Sequence, residues 1–150
     1  MRRSLSLVLF LILTVGGGLL IGTLTLPDAW YAALAKPPWT PPGWVFGPAW
    51  TLLYVLIALA GYRTWRRAPG GPAMQLWAGQ MLLNFSWSPI FFRAHLIEAA
   101  LVVIAGLLLV IVAFIARSLR SDRVAAWLFV PYALWVAFAL SLNAGISWLN

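Results

Sequence analysis

The sequence has no cysteine, a single histidine and only three acidic residues among its 150 positions. The absence of cysteine excludes disulfide bonds, thiolate zinc sites and cysteine-ligated iron–sulfur clusters. The remaining strong metal ligands, carboxylates and imidazole, are too scarce to suggest a metal centre. A hydrolytic triad of serine, histidine and carboxylate is not expected either, because Asp28 and Asp122 are predicted to lie on opposite sides of a membrane.

Charged residues are also scarce, at 9% of the chain, whereas 63% of its residues are hydrophobic. A water-soluble domain could not cover so much apolar surface with polar groups, so the chain is predicted to be a membrane protein. Its formal net charge of +7 comes mainly from arginines clustered at the ends of apolar runs. That arrangement indicates membrane topology and not a nucleic-acid partner.

Apolar residues form five continuous runs, each long enough at roughly 20 helical residues to cross a hydrocarbon core of about 30 Å. Strands of a membrane barrel alternate polar and apolar residues, so continuous runs predict helices. The links between the runs are short, which predicts antiparallel neighbours in a single domain covering residues 1–150. The predicted fold is an all-α membrane protein, a bundle of five transmembrane helices at approximately 5–26, 44–65, 73–92, 96–116 and 124–148.

Basic residues predict the orientation of this bundle. Only Lys36 and Arg93 fall on one side, and by the positive-inside rule that side is the exterior, with the N-terminus cytoplasmic and the C-terminus outside. Helical spans favour the inner membrane of a bacterium. The first apolar run exceeds the roughly 7 to 15 residues of a secretory signal, so we expect it to be retained. The cytoplasmic set is Arg2, Arg3, Arg63, Arg66, Arg67, Arg117, Arg120 and Arg123.

Residues 30–50 contain four tryptophans and five prolines in an almost uncharged stretch between the first two runs. Asp28 suits a helix start and Lys36, which precedes a proline, suits a helix end, so a helix of about two turns is expected there. From residue 37 to residue 42 the backbone is expected to be extended, because each proline fixes φ and removes a donor. The stretch is either an interfacial aromatic belt or a rigid lid over a pocket among the helices.

Amides and aromatic residues share one helical face in the third run and again in the fifth. An amide in hydrocarbon is costly unless it is paired or faces a cavity. These amides therefore either bond between helices or line a ligand cavity, and the tryptophans on the same faces favour the cavity. The two faces comprise Gln80, Asn84, Trp87 and Phe91, and Trp135, Ala139 and Asn143.

Small residues form two patterns that suit close helix packing. Gly18 and Gly22 make a GxxxG motif in the first run, and a ladder of small residues follows one face of the fifth. Either pattern can serve packing within the chain or dimerisation. The ladder is Ala133, Ala137, Ser141 and Gly145.

The only histidine, His95, lies three residues before Glu98 near the expected outer membrane edge. A histidine can be an axial ligand to haem iron. Without a second strong ligand nearby, a surface or interface position is the alternative that we favour. No metal site is predicted.

Four ordered motifs resemble the TspO/MBR family, the tryptophan-rich sensory proteins related to the mitochondrial translocator protein. The motifs are "WYAALAKPPWTPP", "PAWTLLY", "QMLLNFSWSPIFF" and "PYALWVAFALSLN", and they cover four of the five runs and the outer loop. The resemblance implies a five-helix bundle, often a homodimer, that binds a porphyrin such as protoporphyrin IX or haem beneath the first loop. It implies no obligatory cofactor, and the partners expected are the porphyrin, the lipid bilayer and a second copy.

Carried over by motif, the resemblance also implies the residues of the ligand pocket. A porphyrin is a wide π-system, so indole faces can stack on it while amides meet its polar edge. Lys36 can pair with a propionate, although a lysine that only extends to the interface is the alternative. The implied pocket comprises Trp30, Tyr31, Trp39, Pro41, Trp50, Gln80, Asn84, Trp87, Trp135, Ala139 and Asn143.

The predicted role is porphyrin sensing, transport or homeostasis, and three other functions are alternatives to it. The resemblance implies possible light- and oxygen-dependent porphyrin breakdown, with Trp50 and Trp135 as electron donors, but no acid–base constellation supports an enzyme. A sterol carrier is not favoured, because the sterol-associated Tyr and Lys or Arg of animal relatives are missing from the C-terminal "SLNAGISWLN". A transporter has least support, since no buried charge is available to couple to an ion gradient.

Overall fold

The computed structural model describes the backbone of residues 2–150 and the side chains of residues 4–150. These residues form helices and loops, and no strand occurs among them. A π-helical turn, Ile12–Gly16, joins α1 to α2, a 3₁₀ turn, Gly43–Val45, precedes α4, and a second π-helical turn, Pro89–Arg93, ends α5. The helices are α1 (Arg2–Leu11), α2 (Gly17–Leu24), α3 (Ala29–Ala33), α4 (Phe46–Arg67), α5 (Pro72–Ser88), α6 (Ile97–Ser121) and α7 (Arg123–Leu149).

Four helical segments in the described part of the chain are long and apolar enough to cross a membrane: Ser4–Leu24, Gly43–Arg67, Ile97–Ser121 and Arg123–Leu149. They correspond to the first, second, fourth and fifth apolar runs. The third run is α5, a shorter helix of 17 residues that carries Gln75, Gln80 and Asn84. The structure thus confirms an all-helical fold with several segments that could cross a membrane, and the fifth crossing stays a prediction.

The helices pack as a ring around a common interior. α7 lies between α4 and α6, α5 packs on α6, and α1 with the first π turn packs along α4. α2 closes the ring by contacting α5. Pro131 lies inside α7 without ending it, so the helix is continuous through the proline.

One end of the ring, here called the arginine end, carries the end of α4 and the turn between α6 and α7. Asp122 joins them. Its carboxylate accepts hydrogen bonds from Arg63 Nε and Nη2 at 3.0 and 2.9 Å and from Arg67 Nε at 3.0 Å. It also accepts from the backbone N–H of Val124 and Ala125, which caps α7. Burial alone would raise the pKa of Asp122, but the hydrogen bonds and charges of the arginines, with the Ala125 N–H, lower it.

The opposite end carries the Trp/Pro connector, residues 25–45. The expected helix is present but short: Asp28 caps α3 by accepting from the Tyr31 N–H at 3.1 Å, and α3 ends at Ala33. The expectation of an extended backbone over 37–42 is wrong in part. Residues 38 and 39 form a turn, because the Thr40 N–H and hydroxyl both donate to the Pro37 carbonyl, at 3.1 and 2.7 Å.

Candidate ligand-binding cavity

A cavity of about 590 Å³ lies inside the ring at the end that carries the Trp/Pro connector. Its walls come from α2, α4, α5 and α7, and the connector covers it. Cavities of about 300–1,000 Å³ suit drug-sized ligands. Aromatic rings and aliphatic side chains form most of the wall, with few polar atoms.

The structure brings together seven of the eleven residues predicted for the pocket. They come from four separate parts of the chain, which converge only through the ring of helices. The seven are Tyr31 and Pro41 from the connector, Trp50 from α4, Asn84 and Trp87 from α5, and Ala139 and Asn143 from α7.

Two predicted tryptophans of the connector do not line the cavity. Trp30 stacks on the His95 imidazole, with ring centroids 4.1 Å apart, and meets Phe91 edge-on at 5.8 Å. The Trp39 side chain is 53% exposed, because the turn at residues 38 and 39 directs it away from the interior. Both residues were placed in the pocket by the motif, which does not specify the turn at residues 38 and 39 or the position of His95.

Gln80 and Trp135 also lie outside the cavity wall, each behind a residue that lines it. Gln80 is fully buried one turn deeper than Asn84. The Trp135 ring packs nearly perpendicular to Trp50, with centroids 6.5 Å apart. No group in the described part of the chain accepts a hydrogen bond from the buried Trp135 indole N–H.

Asn84 belongs to a chain of hydrogen bonds that links three helices. The Tyr54 hydroxyl donates to Asn84 Oδ1 at 2.8 Å, and Asn84 Nδ2 donates to the Tyr132 hydroxyl at 2.7 Å. Tyr132 in turn donates to Gln80 Oε1 at 2.8 Å. Asn84 and Gln80, which were predicted to meet a ligand, therefore form hydrogen bonds to side chains of neighbouring helices. Such interhelical bonding was the alternative interpretation.

Asn143 is committed in the same way. Its Oδ1 accepts from the Trp87 indole N–H at 3.1 Å, and its Nδ2 donates to the Ile97 carbonyl at 3.1 Å. These bonds tie α5, α6 and α7 together beside the cavity. They also hold the Trp87 indole in one orientation, stacked on Phe91 with centroids 5.3 Å apart. The two asparagine amides therefore position the aromatic wall, and each keeps one N–H and one oxygen lone pair that a ligand can use.

Several aromatic residues of the site are absent from the predicted pocket, among them Tyr54, Phe46 and Tyr132. Tyr54 and Phe46 line the cavity, and Tyr132 bonds the amides from behind. Phe46, Trp50 and Tyr54 follow each other at four-residue spacing on α4, so periodicity was a signal that could have found two of the three. Nothing local marks Tyr132, because its partners are 48 and 52 residues away.

The connector is attached firmly to the end of α7. The side-chain amide of Asn150 pairs with the backbone of Ala35, accepting from its N–H and donating to its carbonyl, both at 3.0 Å. Pro37 is buried against Gly145, where an added Cβ would lie 2.3 Å from the proline Cγ. Gly145, from the predicted small-residue ladder, thus packs within the chain because only glycine leaves room for Pro37.

Lys36 lines the cavity, but its ammonium group has partners from the connector itself. Nζ donates to the carbonyls of Ala32 and Leu34 at 3.3 and 3.0 Å, and lies 4.6 Å from the centre of the Tyr31 ring. These bonds satisfy carbonyls at the end of α3. One ammonium hydrogen remains for an anionic group, so the predicted pairing with a propionate stays a prediction.

His95 is not among the cavity residues. Its Nε2 lies 3.2 Å from Asp28 Oδ2, and its φ of 57° is the only positive value among the described non-glycine residues. The pKa of Asp28 is lowered, chiefly by the Tyr31 N–H and further by His95. The described residues contain no group of three His, Asp or Glu side chains that could hold a metal ion.

Comparison with known proteins identifies the relatives of this chain. The TspO/MBR family matches residues 9–149. The tryptophan-rich sensory protein of Cereibacter sphaeroides is 37% identical over 100% of this chain and 95% of its own length. Protein CrtK of Rhodobacter capsulatus is 35% identical, covering 86% of this chain and 83% of its own. The human translocator protein is 41% identical, with 76% and 70% covered.

Proposed function

The chain belongs to the TspO/MBR family, and on that premise we propose that it binds porphyrins in the cavity beneath the Trp/Pro connector, for sensing or homeostasis of these pigments. The observation that supports this most is the cavity itself, about 590 Å³ with indole rings on two helices. A flat macrocycle can stack on such rings, and its insertion buries a large apolar area.

The residues of the wall suit the two chemical parts of a porphyrin. Trp50 and Trp87 offer indole faces on α4 and α5, and Phe46 and Phe91 extend the aromatic surface. Lys36 is the cation beside the cavity and would meet a propionate carboxylate. The Trp/Pro connector acts as a lid in this proposal, since it covers the cavity and is attached to α7 at Ala35 and Pro37.

The topology that we propose has five membrane crossings. α5 and the π turn after it run between the same two ends as α4 and α6, which supports a crossing despite the shorter length of α5. The arginine end is then cytoplasmic, with both the lid and the C-terminus outside, in a bacterial inner membrane. We also propose a homodimer, which the family resemblance implies.

Titration of the purified protein with protoporphyrin IX, followed by the absorbance of the porphyrin, tests the binding. Trp50→Ala removes one aromatic wall and should weaken binding about tenfold, or roughly 1.4 kcal/mol. Trp50→Phe should retain part of the affinity, because a ring remains. Trp148→Ala is the matched control, since that side chain is 88% exposed and does not line the cavity, so the variant should bind as the unmodified protein does.

Two outcomes would refute the proposal: no saturable absorbance change in the unmodified protein, or equal loss of affinity in Trp50→Ala and Trp148→Ala. The first would mean that the cavity takes another molecule. The second would place the porphyrin on the outer surface of the bundle.

Light- and oxygen-dependent breakdown of the porphyrin is the second candidate, supported by the contact between Trp50 and Trp135. Trp50 lines the cavity and Trp135 packs directly behind it, so both indoles lie where they can exchange electrons with a porphyrin excited by light, with molecular oxygen as the oxidant that is consumed. Illumination in air should then convert the porphyrin to a product of altered absorbance, and Trp135→Phe should slow that conversion without weakening binding. A spectrum that stays constant during illumination would leave binding alone.

A further inference from the structure

Among the helices, the cavity residues that are exposed lie on one side of the ring, and Leu26, Pro27 and Gly43 of the connector are exposed as well. Those on α5 and α7 are buried or half-buried. On α2, by contrast, Leu19 and Gly22 line the cavity and are exposed, and so are Gly47 and Thr51 at the start of α4. The cavity wall is therefore open between α2 and the first turns of α4, within two of the segments apolar enough to span a membrane.

Contacts between the first helical segment and α4 explain why the gap begins where it does. The Thr14 hydroxyl donates to the Tyr54 carbonyl at 2.9 Å, and an added Cβ at Gly18 would lie 2.1 Å from the Tyr54 ring. One turn further along, Gly22 has no atom within 4 Å of an added Cβ. The two helices thus touch at Gly18 and are separated at Gly22, so the glycines of one GxxxG motif have opposite roles.

The connector covers the end of the cavity that lies opposite the arginine end. The connector is held on α7 by the Asn150 amide and by Pro37 against Gly145. On the α7 side, a molecule arriving from water would have to displace these contacts. A molecule dissolved in hydrocarbon meets an opening flanked by apolar side chains, with Leu19 56% and Leu26 66% exposed.

We propose that the gap between α2 and α4, bordered by Gly22 and Gly47, is a lateral portal through which lipophilic molecules reach the cavity from the bilayer interior. This inference rests on the proposed function, because it supplies the route for the ligand of the same cavity. Glycine at both positions keeps the portal open, since any larger side chain projects into the space that the ligand crosses. The class of ligand is one that partitions into membranes.

A cysteine placed inside the cavity tests the portal without any porphyrin. The natural chain has no cysteine, so Ala139→Cys introduces a single thiol on the α7 wall. In liposomes, a membrane-soluble pyrenyl maleimide should label this thiol much faster than a charged, membrane-impermeant maleimide. Leu142→Cys, which also lines the cavity, provides a second position if the first variant folds poorly.

Blocking the portal should then slow the membrane-soluble reagent only. Gly22→Leu and Gly47→Leu, each combined with the single cysteine, should reduce its labelling rate by at least about tenfold, the factor produced by a barrier increase of roughly 1.4 kcal/mol. Gly106→Leu is the matched control: it lies on α6, does not line the cavity, and also has free space for a Cβ. That control should label at the unmodified rate.

Three outcomes would overturn the portal. One is equal labelling by the charged reagent, which would place the opening on the aqueous side. Another is an unchanged rate in both leucine variants. The third is disulfide formation between copies carrying Gly22→Cys, which would show the gap covered by a second chain. None of these depends on porphyrin affinity, so failure of the portal and failure of the proposed function remain distinguishable.

Discussion

The two ends of the bundle use the same residue types in opposite ways. At the arginine end Trp77 is 3% exposed, its indole N–H donates to the Ile57 carbonyl at 3.0 Å, and it fills the space beside Gly61. At the connector end Trp50 lines an open cavity, and Gly22 borders a gap. One tryptophan and glycine pair lies in a closely packed core, and the other lies at a cavity.

The difference shows where this membrane protein obtains its stability. Between helices in lipid there is no hydrophobic driving force of the kind that acts in water, so close packing and hydrogen bonds hold the bundle together. The arginine end has both, including the Phe114 and Phe129 rings at 4.1 Å and the bonds to Asp122. At the connector end the helices are packed less closely because a cavity lies between them. Hydrogen bonds of Asn84 and Asn143 to their partners hold the helices together there.

The largest expected difference between the two ends is the effect of replacing Trp77 or Trp50 by alanine. Trp77→Ala should lower the free energy of unfolding by about 3–5 kcal/mol, because it leaves a void in a filled core and removes the indole hydrogen bond to the Ile57 carbonyl. Trp50→Ala should cost less than about 1.5 kcal/mol, since the ring already faces a void. Unfolding by sodium dodecyl sulfate in mixed micelles, followed by circular dichroism, measures both. Equal losses of unfolding free energy would show that Trp50 in the cavity wall stabilises the fold as much as Trp77 in the core does.

The paired glycines sharpen the same contrast at smaller scale. Gly61→Ala puts a Cβ 2.4 Å from the Trp77 ring and should cost about 1–3 kcal/mol by overpacking. Gly22→Ala meets no atom within 4 Å and should be neutral or slightly stabilising, as alanine is the better helix former. The same unfolding assay compares them. A loss in Gly22→Ala matching that of Gly61→Ala would mean that another chain packs there.

Unfolding at acidic pH measures how much Asp122 stabilises the arginine end. Its folded-state pKa lies below the ordinary value of 3.8, so its stabilisation is present above that pH and is lost as the pH falls through the lowered value. Asp122→Ala should cost about 1–2 kcal/mol at neutral pH, mostly through the lost helix cap. Because Arg63 and Arg67 are partly exposed, solvent screens their share. Stability of the variant should vary less between pH 5 and pH 2 than that of Glu98→Gln, the control.

The smallest expected effect is local and concerns the connector. Asp28 caps α3, and its pKa is lowered chiefly by the Tyr31 N–H, so the cap weakens only when the pH falls through that lowered value. Asp28→Ala should speed hydrogen exchange of the Tyr31 amide while leaving global unfolding unchanged. Asp28→Asn retains a capping oxygen and should restore protection. Loss of protection throughout residues 25–45 would show that the cap, and not the attachment to α7, holds the connector.

Sequence patterns predicted the helices well because each run carries its own information. Continuous apolar stretches and short polar links set the helix positions to within a few residues of α4, α6 and α7, and the motif order led to the correct family. The cap at Asp28 was also visible, since its acceptor lies within one turn of the donor.

The details of the site were harder to predict, because they depend on residues far apart in the chain. Trp135 shares a helical face with Ala139 and Asn143, yet it packs behind Trp50 and does not line the cavity. Trp39 turns outward through two hydrogen bonds from Thr40 to Pro37. A motif indicates which residues lie near the cavity, but contacts with residues distant in sequence determine whether a side chain lines it.

Amino-acid order alone determined that this chain is a helical membrane protein with its arginines concentrated at one end, because hydropathy and charge act locally on each segment. Only the tertiary structure decided which tryptophans line the cavity and which side chains the amides bond. It also decided that Gly18 packs against Tyr54 whereas Gly22 has no neighbour within 4 Å of an added Cβ. Those outcomes depend on the distances between helices, which no single stretch of sequence encodes.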